Sequence, residues 1–501
     1  MLAGMQFFCF CVSLALAGQR CSTAAAQQQA AALPPVAALA PQPAVPLAPL
    51  LRALLDTTAA RSTRIADTRR NLQAGAEVRA LYDSTYAPAW TQPSDSLNTN
   101  ATAALTLLAH APAYGLRPTD YGWPRLHSLR DSLTQPALPG QRARQQARLE
   151  LYLSDAVLTF MRDLGRGRLH PYTTSAREKA AGPAGQSAAL LRAALGHDAV
   201  PAALLACQPT NREYRQLQQA LARWLARPVA SDSAAYHQAR YEQVAVNLER
   251  WRWEALPDSE YVLINLPAYE LQVIAHNSVQ RRHHVIVGKP QTPTPTLSSS
   301  ISYFTLAPNW HVPHSIATEE MLPRIKADAR YFALNNLALY DDRGRLLDPY
   351  SINWVRVTAQ QFPYTIRQSA GCENALGNIV FRFANPYSVY LHDTPERQFF
   401  AQPQRALSHG CIRLESPLQL AAYLLRREAH PVQLPNEAAC ARQPRPRDVR
   451  LHHPLALHIR YATCVAERGH LHFYADIYHR DEAVRLALFG PTPALGPVTE
   501  D

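Results

Sequence analysis

The chain has 501 residues, enough for about three ordinary domains. Apolar residues make up 47% and charged residues 18%, which excludes wholesale disorder. Basic residues outnumber acidic ones 50 to 39, a formal net charge of +11, and only Lys179, Lys289 and Lys326 of the 50 are lysines. The arginines are scattered, with no block of five like charges. That excludes a nucleic-acid groove or a polybasic membrane tail and leaves only weak attraction to an anionic polymer.

Residues 1–26 read as a signal peptide: Phe7 to Gly18 is an apolar run of the right length for its core, and small residues follow at Ala15–Ala17 and Ala24–Ala26. The segment before the run carries no Lys or Arg, and Arg20 before Cys21 departs from a lipoprotein signal. The chain is therefore expected to be exported to the periplasm or cell envelope and cleaved. Beyond this segment no run of 18 apolar residues occurs, so no retained transmembrane helix is expected. Residues 27–50 are Ala, Pro and Gln almost throughout and predict an extended linker.

From 51 to 245 the pattern is helical and predicts a scaffold domain. Leu149, Leu153, Ala156, Val157 and Phe160 recur at helical spacing, as do Tyr214, Leu217, Leu221, Trp224 and Leu225. Turn chemistry breaks the pattern at Tyr86–Pro88, Gly115–Pro118 and Gly165–Pro171. At about Val246 the texture becomes β. Glu260–Leu266, Tyr269–Ala275, His284–Gly288, Ile301–Leu306 and Tyr387–Leu391 predict strands, with a stiff Thr292-Pro-Thr-Pro-Thr296 loop among them. A mixed stretch at about 314–362 predicts a lid. His458–Val465 and His470–Ile477 predict a hairpin around Arg468-Gly469. The expected fold is thus α+β: a helical scaffold, a mainly β domain over 246–435 with a helical or irregular lid, and a β-hairpin extension over 436–490.

Chemistry concentrates in Tyr390-Leu-His-Asp-Thr-Pro395 and Ser408-His-Gly-Cys-Ile-Arg-Leu414. A thiol attacks a carbonyl as thiolate and needs a neighbouring imidazole to take its proton and keep it charged. His409 lies two residues from Cys411, and His392 ends a strand within reach of an adjacent one. Gly410 lets backbone approach a substrate, and the N–H groups of Gly410 and Cys411 are candidate oxyanion donors. A lone Cys beside a lone His is more often structural. The composite Ser-His-Gly-Cys-x-Arg with a strand-end His-Asp upstream is far more specific.

This composite resembles the signature of the L,D-transpeptidases with a YkuD-type catalytic domain. Asn247-Leu-Glu-Arg-Trp-Arg-Trp253, Asn265-Leu-Pro-Ala-Tyr269, Pro308-Asn-Trp-His-Val-Pro313, Ile352-Asn-Trp354, Asn374-Ala-Leu-Gly377 and His479-Arg-Asp481 resemble their large periplasmic branch. So do Tyr86-Ala-Pro-Ala-Trp90 and Gly115-Leu-Arg-Pro-Thr-Asp-Tyr121 in the helical half. The resemblance implies Cys411 as the acylated nucleophile and His392 as general base. It implies backbone donors at His409, Gly410 and Cys411, with Ser408 and Arg413 shaping the site. Asp393 would orient His392 through its carbonyl, or serve as a turn residue. Tyr303, Asn309 and Trp310 are expected in the pocket.

The implied activity forms 3→3 cross-links between peptidoglycan stem peptides through a cysteinyl thioester, releasing D-Ala, with no cofactor and no metal. An L,D-carboxypeptidase or cysteine peptidase on the same thiol, a catalytically silent peptidoglycan-binding scaffold, and a redox-sensing cysteine remain as alternatives. The branch usually carries a peptidoglycan-binding module before the catalytic domain, and here only Pro228 to Ala245 fills that place.

Five cysteines lie beyond the signal segment, an odd number, and no C-x-x-C spacing supports a zinc site. Cys372 is expected to be unpaired and structural, while Cys440 and Cys464 are a candidate bridge. His283-His284 and His452-His453 point to opposite strand faces and are expected to be solvated or at strand edges rather than metal pairs. Trp251 and Trp253 are expected as core aromatics of one strand face.

Overall fold

The computed structural model describes residues 46–58, 72–82, 85–92, 96–169, 185–228, 233–436 and 445–491. The expected signal peptide, most of the expected linker and Cys440 lie outside them. A helix over Leu47–Thr58 already occupies the end of the stretch read as linker. No helix among the described residues is long and apolar enough to cross a membrane.

The helical half is built around one long helix, Pro139–Arg166, whose 28 residues include Leu149, Leu153, Ala156, Val157 and Phe160 in the core. Helices Leu47–Thr58, Gly75–Tyr82, Thr99–Ala109, Gly185–Leu195 and Val200–Ala206 pack with it into one apolar cluster. Helix Arg212–Leu225 starts where the Asn211 side chain accepts the Tyr214 N–H at 2.8 Å. Its Tyr214, Leu217 and Leu221 pack with Val244, Leu248 and Trp251 against Tyr261, Leu263 and Ile274 of the β half. Trp251 and Trp253 belong to helix Ala234–Trp253, not to a strand. Trp251 is core, but Trp253 is only half-buried and its indole N–H reaches the Glu249 carboxylate.

The β half contains β1 (Glu260–Asn265), β2 (Glu270–Ala275), β3 (Ser278–Gly288), β4 (Leu297–Leu306), β5 (Trp310–His311), β6 (Leu337–Tyr340), β7 (Leu346–Leu347), β8 (Thr365–Gln368), β9 (Ile379–Phe383), β10 (Leu391–His392), β11 (Ala406–Ser408), β12 (Ile412–Leu414), β13 (Arg447–Arg460), β14 (Cys464–Glu467) and β15 (His470–Phe473). Nine of them form one sheet, in the order β11-β3-β12-β10-β9-β4-β13-β1-β2. β3 is long enough to pair with β2 through its first part and with β12 through its second, so the sheet closes on itself. Inside lie Val262, Ile264, Val285, Val287, Phe304, Phe381 and Leu457, together with Leu420, Ala421 and Leu424 of helix Pro417–Arg427.

The segment between β4 and β9 is a folded unit rather than a loose lid. β5, β8, β6 and β7 form a second sheet, and Met321, Leu322, Phe332, Leu339, Trp354 and Ile366 form a core of its own. It extends beyond 314–362 on both sides, because β5 and β8 close its base.

Two strand expectations change. Tyr387–Leu391 is strand only at Leu391, since Ser388 has φ +55° and turns the chain. At the C-terminus, β13 is one long strand through Arg460, and only β14 and β15 form the hairpin around Arg468-Gly469. Cys372 is disulfide-bonded, contrary to expectation. Cys464 is free and buried, which removes the Cys440–Cys464 bridge.

Candidate active site

The Ser408–Cys411 loop joins β11 to β12. Gly410 has φ +114°, a conformation that side-chain-bearing residues rarely adopt. The Ser408 hydroxyl donates to the Cys411 carbonyl at 2.5 Å and accepts the Gly410 N–H at 3.2 Å. Buried Thr294, from the Thr-Pro loop, accepts the Gly288 N–H at 2.9 Å and donates to the Gly410 carbonyl at 2.8 Å. The Tyr478 hydroxyl donates to the Gly288 carbonyl at 2.6 Å. A Cβ on Gly288 would lie 2.1 Å from the Thr292 carbonyl and 3.0 Å from the Gly410 Cα, so only glycine admits this close approach. Thr294→Val keeps the shape but leaves two buried backbone groups unpaired, at about 1–3 kcal/mol. It is expected to lower the acylation rate of Cys411 about tenfold with little change in substrate KM. Stopped-flow acylation beside a denaturant melt checks this, and an unchanged rate would remove Thr294 as a loop brace.

His392 lies on β10, whose Leu391 and His392 pair in parallel with Ile412 and Arg413 of β12. This register sets His392 beside Arg413, two residues after Cys411. The His392 Nδ1 is 2.5 Å from the Asp393 carbonyl oxygen, and a carbonyl only accepts, so Nδ1 carries the proton. Burial, reinforced by the charge on Arg413, pushes the His392 pKa down to about 3. The ring is therefore neutral at ordinary pH, with Nε2 free to accept a proton. Of the two roles expected for Asp393, its carbonyl orients the ring. Its carboxylate accepts the Asn378 N–H at 2.8 Å and lies 3.5 Å from Arg397.

Burial also pushes the Cys411 thiol up. The backbone N–H and the hydroxyl of Tyr390, and the charges of Arg382 and Arg413, pull the other way without reversing it. Thiol and imidazole are thus both uncharged at ordinary pH. Tyr390 also accepts a hydrogen bond from the Trp310 side chain, and the Arg382 guanidinium lies 5.1 Å from its ring centre.

Among the expected oxyanion donors, Gly410 is corrected: its N–H is engaged by Ser408 within the loop. The backbone N–H groups of His409 and Cys411 have no partner among the described residues. The His409 side chain points away to the inserted unit, where Nε2 lies 2.5 Å from the Glu320 carboxylate. Arg413 pairs with Glu396. Trp310 is at the site through Tyr390. Asn309 is exposed and its side-chain oxygen accepts the Ala370 N–H at 3.0 Å, fixing a neighbouring loop. Tyr303 pairs in register with Arg382 and carries the Arg450 guanidinium 5.6 Å from its ring, so it flanks the site one strand further out.

Tyr390, Arg382, Thr294 and Glu320 were missed from the sequence. Tyr390 alone left a signal, standing two residues before His392. No group of three or more metal-binding side chains occurs among the described residues. His284, His452 and His453 are exposed as expected, whereas His283 is buried against the Glu415 carbonyl.

Two family models match separate parts of the chain. Residues 259–434 match the L,D-transpeptidase catalytic domain (YkuD), and residues 76–221 match the scaffold domain. A protein of Haemophilus influenzae named "Putative L,D-transpeptidase" is 33% identical over 278 residues, 55% of this chain and 54% of that relative. The chain thus matches about half the length of this curated relative.

Proposed function

We propose that the chain is an exported cysteine L,D-transpeptidase acting on peptidoglycan stem peptides. Cys411 Sγ attacks the carbonyl after the third residue of a donor tetrapeptide while His392 Nε2 takes the thiol proton. The N–H groups of His409 and Cys411 receive the oxyanion. His392 then returns the proton to the leaving amine, D-Ala departs and a thioester remains. The side-chain amine of a second stem resolves the thioester, forms a 3→3 cross-link and regenerates the thiol. Water as acceptor would give an L,D-carboxypeptidase instead. The inserted unit, held to the catalytic loop by the His409–Glu320 contact, shields the thioester from water.

The observation that carries this reading is the buried, neutral His392, its Nδ1 proton held on the Asp393 carbonyl and its strand in register with the one leaving Cys411. Intact-mass spectrometry of the protein with a disaccharide-tetrapeptide tests it. The expected adduct is the stem less D-Ala, mapped to Cys411, absent in Cys411→Ala, with dimeric muropeptide accumulating. Released tripeptide without dimer would select the carboxypeptidase. No adduct in folded, reduced protein would select the silent scaffold.

A further inference from the structure

A second cavity lies well away from Cys411. It has a volume of about 780 Å³ and sits between the first turns of helix Arg212–Leu225, the outer face of β1 and β2, and the β14–β15 hairpin. That size falls in the range of ligand clefts. Leu263 and Gln272 line it from the sheet.

Most of its charges are paired internally. Arg282 holds Glu270 at 2.8 Å and Glu467 at 2.7 Å. Glu213 accepts the Tyr261 hydroxyl at 2.9 Å and pairs with Arg212 at 3.2 Å. The Tyr474 hydroxyl, buried near Glu270 and Glu467, has its pKa pushed up to about 12. By contrast, the side chains of Gln216, Asn277, Arg468, His470 and His472 make no hydrogen bond among the described residues. The cleft therefore offers uncommitted donors and acceptors over a neutralised floor.

The chemistry of the walls selects among occupants. Three carboxylates and four arginines line the cleft, and three of those arginines are already paired with carboxylates, which leaves little positive charge for a polyanion. β1 and β2 are each paired on both sides, so no free strand edge is available for an added peptide strand. Polar and charged residues outnumber and interrupt the apolar ones in the lining, which gives an amphipathic helix no continuous apolar groove. An uncharged, hydroxyl- and amide-bearing polymer fits. Position points the same way: β3 runs from Arg282, in the cleft, to Gly288, which abuts Gly410. Six residues of strand span about 20 Å, a distance that a polymer carrying a stem in the active site bridges.

We propose that this cleft binds the glycan strand of peptidoglycan, a chain of N-acetylated sugars, and so aligns the polymer whose stem enters the Cys411 site. The proposal rests on the peptidoglycan reading of that site. The test uses the full chain as Cys411→Ala and an N-acetylglucosamine hexamer as probe, followed by calorimetry, with peptide-free glycan strands as a second probe. Saturable binding is expected. Gln272→Trp, which fills the cleft, and the double change Asn277→Ala with His472→Ala, which only removes polar groups, are each expected to weaken binding about tenfold. In chains that retain Cys411, both variants should keep the acylation rate by a β-lactam. Absence of saturable binding, or unchanged affinity in both variants, overturns the proposal. So does stronger, cleft-dependent binding of heparin, a polyanion. Acylation at Cys411 without hexamer binding sinks this inference alone, whereas hexamer binding without acylation sinks the catalytic reading alone.

Discussion

His392→Asn is expected to slow acylation of Cys411 by about 10²–10⁴-fold, the range for loss of a positioned general base. Asparagine keeps a donor for the Asp393 carbonyl but has no imidazole Nε2 to accept the thiol proton. The same residue sets the pH response. In the folded chain the ring does not charge until pH falls to about 3, so the wild-type acylation rate should show no acid limb near pH 6.5. The unfolded chain takes up that proton near 6.5, so it binds more protons than the folded chain between the two values. Stability contributed by this depressed pKa is therefore present above 6.5 and lost as pH falls below it, by up to about 1.4 kcal/mol per unit. Denaturant unfolding at pH 7 and pH 5 of wild type and His392→Asn reads the difference. Equal losses in both proteins, or an acid limb at an ordinary histidine pKa, would contradict a buried neutral base.

Glu150→Ala is expected to cost about 3–5 kcal/mol of stability. Glu150 is fully buried in helix Pro139–Arg166. Its carboxylate accepts the N–H groups of Ala89, Trp90 and Thr91 at 2.8, 3.0 and 2.8 Å, the Thr91 hydroxyl at 2.7 Å and the Tyr82 hydroxyl at 2.8 Å. Alanine strands four of these donors, while the Tyr82 hydroxyl keeps the backbone carbonyl of residue 150 at 3.0 Å and the Ser154 hydroxyl at 2.9 Å. Burial raises the Glu150 pKa despite these bonds, so Glu150→Gln, with one acceptor oxygen, should fall between the two. A chemical melt ranks the three proteins. A loss below about 1 kcal/mol in the alanine variant would mean that the turn at Ala89–Thr91 is held by packing alone. The remaining folded fraction should acylate normally, because Glu150 belongs to the scaffold.

Local features of the site were legible in the sequence, and tertiary ones were not. Cys411, His409 and Gly410 sit within four residues, and His392 carries its own carbonyl orienter as the next residue. The long scaffold helix was legible because its apolar residues keep the helical period. Trp251 and Trp253 misled because the Val246–Trp253 stretch mixes β-branched and aromatic residues, while packing on Tyr214 and Leu217 keeps it helical. Gly410 looked like an oxyanion donor because its freedom is visible in the sequence, whereas its bond to Ser408 depends on how the loop curls. Arg382 and Thr294 reach the site from other strands and loops, and neither has a neighbour in sequence that announces it. Glu150 read as an isolated acid for the same reason, since its partners lie about sixty residues away.

The uncharged resting state of Cys411 has a consequence beyond rate. Peroxides and low-molecular-weight disulfides react with thiolates, and a neutral thiol is largely inert to them. A nucleophile ionised only while an acyl donor occupies the pocket stays dormant between turnovers. On the proposed reading, the conflict between a sulfur reactive enough for an amide-like bond and one that survives oxidants is resolved by timing: reactivity appears with the substrate and leaves with it.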